Sequence, residues 1–155
     1  MISFHMSYSI PMVECSVTVA LLGADPEEHS VYLHQASPLR SGPETMTEYL
    51  NGERRFFPML CAGVPKMVNR DQILWVRSPK TFDPDTLEVT LIERLTILEL
   101  TDGSRLEGVV PIDRPREQSR ISDVLNDPRE AFLRIDEEGE TYYVNKGFIR
   151  MVIPR

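Results

Sequence analysis

A mainly β fold, built as two tandem five-stranded small β-barrel repeats with one short helical turn in each, is what this sequence predicts, on three observations. The passage "VNRDQILWV" at 68–76 returns as "VNKGFIRMV" at 144–152. The corner "TEYLN" at 47–51 returns as "SDVLN" at 122–126, an offset of 75 residues. Short β-rich segments alternate with Asp-Gly, Gly and Asn turn signals along the chain, the pattern of strands joined hairpin by hairpin. A repeat of this kind fixes the structural unit to which each element belongs.

The repeat divides the chain. Phe57 matches Phe132 at the same offset of 75, and beyond the turn glycines Gly63 and Gly139 the offset is 76 through Asn69/Asn145, Ile73/Ile149 and Val76/Val152. This places one inserted residue between the matched phenylalanine and glycine. The expected organisation is a leader at 1–11, a first repeat at 12–79, a linker at 80–93 that turns into a strand from Leu87, and a second repeat at 94–155. A unit of roughly 60 residues buries only about 60% of its unfolded surface, so the two halves are expected to pack together.

Within a repeat each element has a local cause. "LTILEL" and "RLEGVV" flank Asp102-Gly103, a hairpin signal because both turn positions tolerate positive φ. In the first of these strands Leu95 and Ile97 are expected inside, with Thr96 and Glu99 outside. "VTVALLGADPEEHSVYLHQ" fills the same place in the first half. In "SDVLN" and "TEYLN" the hydroxyl is expected to cap a helical turn, the leucine to enter the core and the asparagine to stop the helix in the left-handed region. "FFPMLCAGVPKMV" and "AFLRIDEEGETYYV" make the second hairpins, and Asn69-Arg70 or Asn145-Lys146 reverses the chain, asparagine accepting positive φ there. The last strand then returns to the first and closes the barrel edge.

This hairpin-by-hairpin order resembles the small β-barrels of the Sm-like and SH3-like classes, and "TDGSRLEGVV" resembles the first hairpin of an Sm-like domain. The helical turn here falls between the second and third strands, whereas Sm-like domains begin with a helix. More closely, "RISDVLND", "AFLRI" and "YYVNKGFIRMV" are similar to a widespread, poorly characterised family of small bacterial domains with a Ser-Asp-x-Leu-Asn corner and a Val-Asn-Lys turn. The resemblance covers the second half, with the first half as a diverged copy, and implies a fold without established catalytic residues.

Composition narrows the function. With 24 acidic and 17 basic residues the chain carries a net charge of −7, a field that repels phosphate and disfavours nucleic acid. No apolar stretch is long enough to cross a bilayer, and "MISFHMSYSIPMVEC" lacks the basic opening and apolar run of a secretion signal, so a cytoplasmic location and no membrane partner are expected. Cys15 and Cys61 have no metal-type spacing and are read as lone buried thiols. His5, His29 and His34 form no nucleophile set with other residues and are read as surface histidines. No catalytic residue, metal site or cofactor is expected.

Two groups of side chains invite a ligand. Arg114, Arg116 and Arg120, with Arg129 close by, are the one basic concentration, and guanidinium groups on a loop can grip a phosphate or carboxylate bidentately. Arg116 and Arg120 also fit the Arg-x-x-x-Arg spacing of PilZ-type cyclic-dinucleotide receptors, without the Asp/Asn-x-Ser-x-x-Gly companion. Asp113, Glu117, Asp123 and Asp127 lie beside them in sequence, and a self-paired solvated loop is the competing reading. The second group is the apolar hairpin of the first half, with Phe56, Phe57, Met59, Leu60 and Val64, where the second half has the polar "DEEGE". An apolar tip must be covered by the other half or by a partner chain. Trp75, matched by Met151, could anchor either contact. The expected function is a non-catalytic interaction or regulatory module binding a protein partner or a second copy; the alternatives are Sm-like nucleic-acid binding and a small anionic ligand.

Overall fold

In the computed structural model, which describes residues 11–80 and 92–155, one open antiparallel sheet of ten strands carries two short helices. The first half runs β1 (Met12–Leu21), β2 (Glu27–His34), α1 (Met46–Leu50), β3 (Phe56–Cys61), β4 (Val64–Asn69) and β5 (Ile73–Pro79). The second runs β6 (Ile92–Leu100), β7 (Arg105–Ile112), α2 (Ile121–Leu125), β8 (Phe132–Glu137), β9 (Glu140–Asn145) and β10 (Ile149–Pro154). Strands and helices follow the same order in both halves, with a three-residue 3-10 turn before each last strand, Arg70–Gln72 and Lys146–Phe148, while the second half has a further 3-10 turn at Arg116–Gln118 ahead of α2. Apart from Pro11, the leader expected at 1–11 lies outside the described residues. So does the linker strand expected from Leu87, as far as residue 91; β6 spans Ile92–Leu100.

Strand order across the sheet is β10-β6-β7-β8-β9-β5-β1-β2-β3-β4. Each last strand pairs with the first of its half, β5 on β1 and β10 on β6, as the sequence predicts. The expected closure does not occur. The second edge of β5 is occupied by β9, in the register Trp75↔Val144, Val76↔Tyr143, Arg77↔Tyr142, so the sheet continues from one half into the other. A flat arrangement of five strands would hold β4 and β5 roughly 19 Å apart, four spacings of about 4.8 Å. Asn69 and Ile73, four Cα steps apart, can be separated by at most about 14 Å. Each half is therefore curled, with the second edge of β5 paired to β9 and not to β4.

Two hydrophobic clusters fill the halves. The first gathers Val17, Val31, Met46, Leu50, Phe57, Ile73 and Val76, together with Phe132 and Tyr143 from the second half. The second gathers Leu98, Leu100, Val110, Ile112, Leu133, Ile135 and Val144, with Trp75 of the first half packed against it. The exchange of aromatic residues across β5 and β9 joins the halves by burial as well as by the ladder.

Several local expectations are corrected. Thr96 is wholly buried and Leu95 exposed, the reverse of the predicted facing: Leu98 and Leu100 turn that face inward, and the Thr96 hydroxyl is satisfied by the Arg94 carbonyl at 2.9 Å. The N-caps are Thr45 and Arg120, not the matched hydroxyl residues. Thr45 forms a reciprocal capping box with Glu48, while Arg120 offers only its N–H, to Asp123 at 3.0 Å. Asn51 and Asn126 end the helices at φ −93 and −92, not in the left-handed region. Asn69 and Asn145 are also extended, at φ −71 and −64, and act through their side chains, which accept from the N–H two residues on. In the Asp102-Gly103 turn only the glycine has positive φ, 89°, because the Asp102 carboxylate turns to the Ser104 N–H and hydroxyl. The hairpins in which both turn residues have positive φ are Ala62-Gly63 and Glu138-Gly139. Pairing of Phe56 with Asn69 and of Phe132 with Asn145 makes Phe56, not Phe57, the counterpart of Phe132. The inserted residue thus precedes the strand.

Candidate interaction surface

Alternation along β3 decides which of the apolar hairpin residues a partner could reach. Phe57 and Met59 point inward and are buried; the Phe57 ring lies 5.4 Å from Tyr49 and 6.5 Å from Phe132. They are core residues, and their assignment to partner binding is corrected. Phe56 is 45% exposed and Val64 54%, while Leu60 is half-buried. Met67, which the sequence reading passed over, is the most exposed apolar residue of the hairpin at 66%. Its signal was available: at the offset of 76 it matches the aromatic Tyr143.

Trp75 works between the halves. Its ring meets Tyr142 edge-on at 5.2 Å, and the Arg77 guanidinium stands 5.6 Å from the Trp75 ring and 5.9 Å from Tyr142, within cation–π range of both. Polar contacts fix the same junction. The buried Asn145 amide donates to the Arg70 carbonyl at 3.1 Å and the Ile73 carbonyl at 3.0 Å. The Phe132 N–H donates to the Asn51 side-chain oxygen at 2.8 Å. Asn51, which the sequence offers only as a helix stop, thus ties α1 to β8.

The two ends of the sheet differ from this junction in exposure. Among the described residues the outer sides of β4 and β10 have no strand neighbour. Phe56, Val64 and Met67 are exposed at the β4 end and Met151 at the β10 end. Beside β10, Ile121, Val124, Leu125, Ile149 and Val152 pack on the second cluster while remaining only half-buried.

The arginines do not converge on a vacant anion site. Arg114 is held by Asp127 at 2.6 Å and Glu130 at 2.9 Å, Arg129 by Asp127 at 2.8 Å, and Arg120 stands 3.7 Å from Asp123. Arg116 is exposed, apart from these pairs. Hydrogen bonds from the Arg129 side chain and backbone, reinforced by Arg114, hold the Asp127 carboxyl far below the usual carboxylate range. The loop's own carboxylates take the place an anion would fill, which corrects the anion-binding assignment of Arg114 and Arg120.

The cysteines and the described histidines are buried or paired within the fold. Cys15 and Cys61 are buried free thiols, and burial followed by the charge of Glu14 pushes Cys15 up to about 11, away from the reactive thiolate. His29 is buried, not at the surface as expected, with Nδ1 against the Glu27 carbonyl at 3.1 Å. His34 meets Glu44 at 3.0 Å, and His5 lies outside the described residues. Among the described residues no group of three or more His, Cys, Asp and Glu could hold a metal ion, and no helix is long and apolar enough to cross a membrane. No protein-family model, no curated protein and no solved structure matches this chain.

Proposed function

We propose that this chain is a non-catalytic interaction module: two small-barrel units, fused through one sheet, whose outer ends receive protein. The return of each last strand to the first strand of its half supports the small-barrel resemblance. The observation that carries the functional reading is the exposure of Phe56 and Met67 on one face of the β4 end, beside an unpaired strand edge. Such an edge offers N–H and C=O groups for strand addition, and the apolar side chains supply the area that makes addition specific. The two free thiols suit a reducing compartment such as the cytoplasm. The net charge of −7 and the self-paired arginines lend no support to the nucleic-acid or anionic-ligand alternatives.

The reading is tested by placing a photoreactive amino acid at Met67 in cells, with the exposed tip residue Asp102 as control. Discrete protein adducts at position 67 and none at 102 are expected. No adduct at 67, or the same smear at both, contradicts an interaction role.

A further inference from the structure

We propose that the partner at these ends is a second copy of this chain, joined head to tail, with the β4 end of one copy entering the open flank of the second half of the next. This deepens the interaction-module reading and rests on it. The molecule already contains the contact once. At the internal junction the second half offers β9 to β5 and inserts Phe132 and Tyr143, 2% and 0% exposed, into the first cluster. At the offset of 76 their counterparts are Phe56 and Met67, 45% and 66% exposed. The plug is present in both halves and seated in only one.

The receiving side shows the same asymmetry. Met46, Tyr49, Leu50, Ile73 and Val76 belong to the same cluster as the seated plug and are all buried. Their counterparts in the second half, Ile121, Val124, Leu125, Ile149 and Val152, are all half-buried. A second copy's Phe56 and Met67 would complete that flank as Phe132 and Tyr143 complete the first.

Repeating the internal register sets β10 against β4 of the next copy as Met151↔Val68, Val152↔Met67 and Ile153↔Lys66. The polar ties transfer with it. Asn69 would donate to the Lys146 and Ile149 carbonyls of the other copy as Asn145 does to Arg70 and Ile73. Asn126, at φ −92 beside −93 for Asn51, would accept from the Phe56 N–H. One position weakens the copy. Pro65 and Pro154 would meet where the internal junction has Thr141 and Ser78, and neither has an N–H to give. The intermolecular contact is thus a weaker, reversible version of the internal one. Because its two surfaces differ, it is heterologous, and successive copies close into a ring or extend as a filament.

Light scattering on the full chain over a concentration series tests this. The mass is expected to rise above 17.8 kDa with concentration. Met67→Arg and Met151→Arg, both at exposed positions, are each expected to stay monomeric with an unchanged circular dichroism spectrum. Mixed in equal amounts they should yield a species of about twice 17.8 kDa and nothing larger, since each retains the end that the other has lost. A wild type that stays at 17.8 kDa throughout, variants that associate like wild type, or a mixture that stays monomeric overturns the proposal. A monomeric wild type that still gives adducts to other proteins through position 67 overturns self-association alone and leaves the interaction reading standing.

Discussion

Asn69 and Asn145 show how one residue type at matched positions carries different weight. Both side chains cap a 3-10 turn through the N–H two residues on. Asn145 in addition donates to two carbonyls across the junction and is 9% exposed. Its loss removes two hydrogen bonds across the junction, one to the Ile73 carbonyl and one to the Arg70 carbonyl, which keeps the Ile73 N–H, and this cost adds to that of the cap itself. Asn145→Ala is expected to destabilise the protein by about 2–4 kcal/mol in urea unfolding, and Asn69→Ala, in dilute monomer, by about 1 kcal/mol, the ordinary worth of a cap. The shared motif is plain in the sequence. What the sequence conceals is that the amide side of Asn145 faces another half of the molecule, because that depends on a pairing 72 and 75 residues away.

The two helical corners are held by different means. α1 has a reciprocal Thr45–Glu48 box, whereas α2 has no side-chain N-cap bond and depends on its flanks. Arg114 ahead of it and Arg129 behind it both bind Asp127, and the Lys146 ammonium donates to the Val124 and Asp127 carbonyls at 2.6 and 3.2 Å. Since the Asp127 pKa lies below its unfolded value of 3.8, its contribution is fully present above that pH and is lost as pH falls through the folded value. Asp127→Asn should lower the melting temperature at pH 7, and the gap from wild type should narrow as pH drops below about 4, followed by thermal denaturation at several pH values. The hairpins and the corners were legible as elements because their turn residues and spacing repeat. The facing of β6 was not, since Leu95 and Ile97 on one side compete with Leu98 and Leu100 on the other and the pattern alone gives no preference. The Phe56-Phe57 doublet likewise allowed the insertion to be placed one step too late, and so hid Phe56 behind Phe57 as the counterpart of Phe132.

At the scale of the molecule, one open sheet runs through both halves without closing. A curled five-strand unit has two free edges, and the internal junction joins one edge of each half, leaving β4 and β10 outermost. The sequence revealed two similar halves and their need to pack, but not that they share a ladder, because strand partners between halves follow from edges that no local pattern marks. The same reasoning predicts how copies meet. Lys66 and Ile153 are the outer counterparts of Tyr142 and Arg77, whose side chains touch across the internal junction at 3.5 Å. With cysteines at both positions, Lys66→Cys with Ile153→Cys, mild oxidation of the full chain is expected to give a reducible ladder at multiples of 17.8 kDa on a denaturing gel, while either cysteine alone gives no ladder. A double variant that remains a single band at 17.8 kDa, or a ladder of equal strength from one of the single variants, would contradict head-to-tail pairing of these two edges.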